Sequence, residues 1–274
     1  MTITPHAAAQ QSCELPRVSG ERFAGYAVIG APFASGHYLA LRRFPTNSIG
    51  AGFTSVWHRD PDGAWTVYSD VPAELSCPRY LGRALSRTEQ TDVRAEWTGP
   101  TDLHVTVGTE LEWDLRMTTS RATTVMNAAG SLMPDSLWHS PTVLAAMGRV
   151  AGPVLGAGRM RLGGHLPNGQ WFRANPRQLW AAHTERAVVR GVDLGPEGPL
   201  TQQDRFGDFR LPQRGLFATV QVWLEPYDAR RHHPARPDTC MRTASDRWVF
   251  PAVTASGAEV PQGFVRKSRQ LLRK

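Results

Sequence analysis

Lysine is missing from the first 266 residues: the only two are Lys267 and Lys274, against 29 arginines. Schiff-base catalysis and the anchoring of pyridoxal phosphate both need a lysine amine, so the body of the chain can support neither. Cysteine is scarce as well. Cys13, Cys77 and Cys240 are far apart and odd in number, which argues against a disulfide framework or a cysteine-rich zinc site and points to a reducing compartment. There is no G-x-G-x-x-G, no P-loop, no H-E-x-x-H and no G-x-S-x-G. Dinucleotide, phosphate-loop, zincin and nucleophile-elbow chemistry therefore lack their motifs, and no cofactor and no metal are expected. No run of 18 uncharged apolar residues occurs, and the first residues lack a basic start and an apolar stretch. The expectation is a soluble cytoplasmic protein with no stable membrane insertion.

Negative charge is in short supply only at one end. The net charge of +7 is concentrated in residues 227–274, where eight Arg and two Lys face three Asp and one Glu. The remaining 226 residues are close to neutral, so a basic stripe for nucleic acid is not expected and no nucleic-acid partner is proposed. The end segment reads as a basic flexible tail, with anchoring to anionic surfaces as its functional alternative. Residues 1–32 read as an N-terminal arm and 33–226 as the folded domain.

What is abundant is β-branched and aromatic sequence punctuated by turns. Within Gly50 to Val71, two runs of β-branched and aromatic residues flank Asp60-Pro61-Asp62-Gly63, which suits a type I turn closed by a left-handed glycine. That hairpin sets Trp57 opposite Val67 and His58 opposite Thr66. Phe53, Trp57, Trp65 and Val67 then share one face, and Thr54, His58, Thr66, Tyr68 and Asp70 the other. Leu111–Met117 alternates without a fault, placing Trp113 on one face and Asp114 and Arg116 on the other. Short strands 8–12 residues apart with no helix between them predict a mainly β fold, an antiparallel barrel or sandwich.

A helical insertion near 123–157 interrupts this texture. Ser140-Pro141 supplies an N-cap and a first-turn proline, and Gly148, Gly152 and Gly156 make a smooth strip for close packing against another backbone. Beyond it, Met160 to Leu166 and Trp171 to Ala174 read as a hairpin around the turn Pro167-Asn168-Gly169-Gln170, whose Asn-Gly tolerates a type I′ geometry, followed by two further strands at 179–183 and 186–192. Residues 195–214 read as a long loop in which Asp208 is either an acid at a pocket mouth or a salt-bridge partner. The His232-His233 pair reads as surface.

Among titratable groups, His58, Tyr68, Asp70 and Asp114 are the candidate acids and bases; the alternative is that they line the water-facing side of the sheet. Phe53, Trp57, Trp65, Trp97, Trp113 and Trp223 are the candidate lining of an apolar pocket, with core packing as the alternative.

The run from Gly36 to Tyr68, the hairpin from Gly164 to Arg173 and the segment from Gly191-Val192-Asp193-Leu194-Gly195 to Leu216 resemble lipocalin-like proteins of the carotenoid-hydratase (hydroxyneurosporene synthase-like) type. The resemblance is one of texture across residues 33–226 and matches no catalytic motif position by position. It implies two joined lipocalin-like β-barrel halves, a polyene, terpenoid, polyketide or fatty ligand, and, as in some members, cofactor-free hydration, isomerisation or cyclisation. Acetoacetate decarboxylase-like barrels are a second resemblance, but they depend on an active-site lysine that this body lacks. The two functional classes left in play are a cofactor-independent enzyme and a non-catalytic carrier of an apolar small molecule.

Overall fold

The computed structural model describes residues 3–11 and 14–233. In chain order its elements are α1 (Pro5–Gln11), β1 (Glu21–Pro32), β2 (Tyr38–Asn47), β3 (Phe53–Arg59), β4 (Trp65–Ser69), α2 (Pro78–Leu81), β5 (Arg87–Gln90), β6 (Val93–Trp97), β7 (Asp102–Val107) and β8 (Leu111–Thr118). The helices α3 (Arg121–Ser131) and α4 (Pro141–Leu155) follow, then β9 (Gly163–His165), β10 (Trp171–Val189), β11 (Val192–Asp193), β12 (Arg205–Phe206), β13 (Phe209–Arg210) and β14 (Leu216–Leu224).

One sheet holds all strands except the β12–β13 ribbon, in the order β5-β4-β3-β2-β1-β14-β10-β8-β7-β6, with β9 and β11 added to β10. Its neighbours are antiparallel apart from β4 and β5. The fold is mainly β, as expected, and the halves suggested by the sequence are parts of one sheet. Thr91 and Asp92 alone separate the two edge strands β5 and β6, so the sheet must curl until its edges approach, and β3 touches β6. Residues from both ends of the sheet, among them Leu41, Val56, Tyr68, Val105, Trp113 and Phe217, accordingly pack into one concave core.

The convex side differs along the sheet. On β7 and β8 burial alternates residue by residue, because that outer face meets solvent. Strands β1 to β4 are buried on both faces, since a second apolar layer covers them: Phe23, Phe44, Phe53, Trp57, Trp65 and Phe206 pack under α2 and the β12–β13 ribbon. This corrects the N-terminal arm: residues 21–32 form a central strand between β2 and β14. Its Ala- and Gly-rich sequence carries no period-two pattern because neither face meets water.

The hairpin register is as read, with Trp57 opposite Val67 and His58 opposite Thr66. Gly63 adopts φ +91° and its N–H donates to the Asp60 carbonyl at 3.0 Å. Leu166 to Gln170 repeats that turn, with φ +93° at Gly169 alone, so the turn is type I with a glycine bulge instead of type I′. The strands expected at 179–183 and 186–192 are one 19-residue strand, β10, bent at two bulges. Helix α4 starts at the Ser140 N-cap and ends at left-handed Gly156. A Cβ on Gly148 would lie 2.7 Å from the Met160 carbonyl oxygen, and one on Gly152 would overlap the Gly158 carbonyl oxygen, so the glycine strip does seat the helix on backbone. The domain end expected at 226 moves outward: His232 is buried, with Nε2 3.0 Å from Glu225 Oε1 and Nδ1 accepting the Asp228 N–H at 2.9 Å. Of the expected tail, residues 234–274 lie outside the described residues, as do Cys13 and Cys240.

Candidate functional site

Strand β2 sends Leu39 and Leu41 into the concave core, and Tyr38, Ala40, Arg42 and Phe44 to the convex side. That period places one arginine in an apolar layer, where it is only 6% exposed. A bulge in β1 between Val28 and Ala31 makes room for its contacts. Arg42 Nη1 donates to the carbonyls of Val28 (2.7 Å) and Leu41 (2.9 Å), and Nη2 to that of Ile29 (3.2 Å). The guanidinium lies 4.2 Å from the centre of the Trp57 ring and 5.8 Å from that of Phe209. Among the described residues it has no ion pair. Three of its five N–H groups are thus used, and burial lowers its pKa to about 10, which leaves it charged at neutral pH. A buried cation balanced only by carbonyls and π faces is costly to hold, by several kcal/mol.

Arg42 lines two adjoining apolar cavities. One, of about 100 Å³, is bounded by Phe53, Trp57, Cys77, Tyr80 and Phe172. The other, of about 90 Å³, shares Phe44, Ala174, Phe209 and Val222 with the first and extends beneath α3 and α4 to Met126 and Leu155. Both lie on the convex side, outside the concave core.

Two ionisable side chains join Arg42 in this wall. Ser55 Oγ–H donates to Cys77 Sγ at 3.3 Å, and the thiol is buried; burial pushes its pKa up against the opposing pull of Ser55, Arg42 and Trp57, so it stays protonated. Tyr80 O–H donates to Glu21 Oε2 at 2.7 Å while Arg79 Nη2 holds Glu21 Oε1 at 2.7 Å. Burial first, and the Glu21 carboxylate second, raise the phenol pKa far above its usual value. The set is a fixed cation, a thiol and a phenol with a carboxylate behind it, in an apolar chamber. No group of three or more His, Cys, Asp or Glu suited to a metal ion occurs among the described residues.

No family model and no curated protein matches this chain. Among solved structures it is similar to acetoacetate decarboxylase from Legionella pneumophila subsp. pneumophila str. Philadelphia 1, at a TM-score of 0.37 and 9% identity over 78% of this chain and 87% of that one. A second acetoacetate decarboxylase structure gives a TM-score of 0.38 and 10% identity over 80% and 90% of the two chains.

Only part of the sequence-predicted site converges here. Phe53 and Trp57 line the Arg42 cavity. Trp65 belongs to the same apolar layer, edge-to-face with Phe206 and with its indole N–H on Asp204, one shell away from the cavity wall. Trp113 is fully buried in the concave core, and Trp97 packs against that core with its ring stacked on His6. Trp223 lies on the far side of β14, under the Arg173 guanidinium at 4.0 Å. The candidate acids and bases are dispersed. Asp70 is exposed and caps the sheet end by accepting the Thr54 N–H at 2.8 Å. Asp114 is on the solvent face of β8, bound to His104 Nδ1 at 2.6 Å. Tyr68 faces the concave core beside Arg190. Asp208 is a bridge, accepting from Arg161 Nη1 at 2.7 Å and the His165 N–H at 3.0 Å. Arg42, Cys77 and Tyr80 carried one sequence signal: an arginine in phase with Tyr38, Ala40 and Phe44 on a strand too apolar to have a wet face.

His58 is buried but pairs with His37, Nε2 to Nδ1 3.0 Å, with the rings stacked at 5.2 Å. Burial lowers its pKa to about 4, and the His37 charge adds to this. An unfolded histidine titrates near 6.5, so between pH 6.5 and about 4 the unfolded chain binds a proton that the folded one refuses. Stability is therefore lost as pH falls through that window, by about 1.4 kcal/mol for each pH unit crossed. Urea unfolding of His58→Leu at pH 7 and pH 4.5 is expected to show about 2–3 kcal/mol less acid sensitivity than the wild type; equal sensitivity would mean that His58 takes up no proton on unfolding in this range.

Proposed function

We propose that the protein binds an apolar carboxylate or enolisable carbonyl compound in the Arg42 cavity and transforms it by cofactor-free proton transfer. The observation that carries this reading is Arg42 itself. A fixed cation with two N–H groups to spare and no carboxylate partner among the described residues is a receptor for a negative oxygen, whether already on the ligand or developing as a proton leaves the adjacent carbon. The aromatic walls suit a fatty, polyketide, terpenoid or polyene chain.

Tyr80 supplies the proton path. As a substrate proton moves to the phenol oxygen, the phenol's own proton passes to Glu21, and its return to a different carbon completes an isomerisation with no net change of atoms. Protonation of a double bond by the same path opens hydration or cyclisation. A second reading, a non-catalytic carrier, draws on the fact that burial keeps both Cys77 and Tyr80 protonated.

Deuterium uptake separates the two. Incubated in D₂O with 3-oxo-octanoate and trans-2-octenoate, the wild type is expected to label carbon beside the carboxylate or carbonyl, and Tyr80→Phe to do so at least about tenfold more slowly with affinity within threefold. Tight binding with no label in either protein would leave the carrier.

A further inference from the structure

A third and larger cavity, of about 490 Å³, lies between α4 and the segment that leads into β9. It shares Met160, Arg161, Leu162 and Arg210 with the cavity beneath α3 and α4, so three chambers run in a row from the surface to Arg42. Its wall contains Arg149, Arg159, Arg161, Arg173 and Arg210 and no Asp or Glu. Arg161 is engaged by Asp208, and Arg173 covers Trp223. The side chains of Arg149, Arg159 and Arg210 have no hydrogen-bonding or ion-pair partner among the described residues. The 226 residues of the body are near neutral overall, so this concentration is local and is not a sample of the average surface.

The fold holds the cluster close. Gly148 and Gly152 bring α4 onto the carbonyls of Met160 and Gly158, which sets Arg149 on the helix across from Arg159 and Arg161 on the next segment. Like charges held this near repel, and a ligand with several anionic oxygens relieves them. Guanidinium forks bind phosphate oxygens two at a time; three unpaired forks exceed what one carboxylate can accept.

We propose that this outer cleft binds the phosphate-bearing head of an amphipathic ligand whose apolar chain extends toward Arg42. The substrate class is then a chain that carries a phosphate or diphosphate ester at one end and, toward the other, the carbonyl or carboxylate that meets Arg42. This rests on the reading of the inner cavities as the seat of the apolar part. Enclosure by α4 on one side and the β9 segment on the other, and the shared apolar wall behind, favour one headgroup over a nucleic-acid backbone.

The full-length protein is titrated calorimetrically with inorganic phosphate, pyrophosphate, octyl phosphate, octanoate and single-stranded RNA, alongside Arg149→Gln/Arg159→Gln. Both substituted residues are exposed, and a melting temperature within about 2 °C of wild type confirms the fold. Pyrophosphate is expected to bind the wild type, to weaken at least tenfold in the double variant, and to weaken several-fold between 50 and 500 mM salt. Octyl phosphate is expected to bind at least thirtyfold more tightly than inorganic phosphate in the wild type. Pyrophosphate binding that is absent, or equal in wild type and variant, overturns the outer site; octanoate binding that persists through Arg42 in that case leaves the inner site standing. Single-stranded RNA binding with the same Arg149/Arg159 dependence and no preference for octyl phosphate overturns the assignment in favour of a nucleic-acid surface.

Discussion

Arg42→Met is expected to weaken octanoate binding at least about 30-fold while the protein remains folded. A charge-assisted hydrogen-bonded pair formed in a dry site is worth about 2–5 kcal/mol when one partner is truncated, and 1.4 kcal/mol is a factor of ten in affinity. Methionine keeps an apolar stem and removes the guanidinium that lies over Trp57 and Phe209, so what is lost is the cation with its π contacts. The stability change is a difference of opposing effects. Removing a buried charge without an anionic partner is favourable, by about 1–4 kcal/mol in comparable replacements. Against this, the carbonyls of Val28, Ile29 and Leu41 lose the donors that serve the β1 bulge, each at about 1 kcal/mol or more. The melting temperature is accordingly expected to move by no more than about 5 °C in either direction. A collapse of stability together with octanoate affinity within threefold of wild type would make Arg42 a staple for the bulge and nothing else. Differential scanning fluorimetry and calorimetric titration of the same sample read both quantities.

Trp113→Ala is expected to have the opposite profile. The indole is fully buried at the centre of the concave core and its N–H donates to Thr184 Oγ1 at 3.0 Å. Truncation of a large core aromatic costs about 3–5 kcal/mol through lost burial and the cavity left behind, and the Thr184 hydroxyl loses its donor as well. Against a total stability of about 5–15 kcal/mol this is a large share, and the melting temperature falls by about 10 °C or more. Yet the cavities around Arg42 are on the other side of the sheet, so the folded fraction binds octanoate within about twofold of wild type. A selective loss of affinity with stability intact would move the ligand into the concave interior.

The contrast between these two residues marks what was legible in the sequence. Turn chemistry wrote the hairpin plainly: Pro61 and Gly63 fix one geometry, and the register of Trp57 and His58 followed from it. Helix α4 was legible from Ser140, Pro141 and its glycine strip, because caps and small-residue spacing are local. The face assignments were legible as well, but which face meets a ligand was not. Both faces of β3 and β4 are covered, so His58 and Tyr68 on one side and Trp57 on the other look equally buried in sequence, and no period distinguishes core from cavity. The same double burial hid β1, whose alanines and glycines show no alternation. Asp70 and Asp114 have the right chemistry for catalysis in the wrong surroundings, a sheet end and a solvent-facing strand. Arg42 was hidden by its neighbour: Arg42-Arg43 reads as a polar pair until the pleat sends one inward and leaves Arg43 to hydrogen-bond Thr54 Oγ1. Tyr80 and Glu21 are 59 residues apart, a pairing that only the folded sheet and α2 create.

The most direct test is a crystal structure with 8-bromooctanoate, read by the anomalous signal of bromine. The carboxylate is expected within about 2.7–3.2 Å of the Arg42 guanidinium and the bromine in the apolar chamber bounded by Phe44, Phe209 and Val222. Bromine in the concave core near Trp113, or a carboxylate seated elsewhere with the Arg42 chamber empty, would contradict a ligand site built on Arg42.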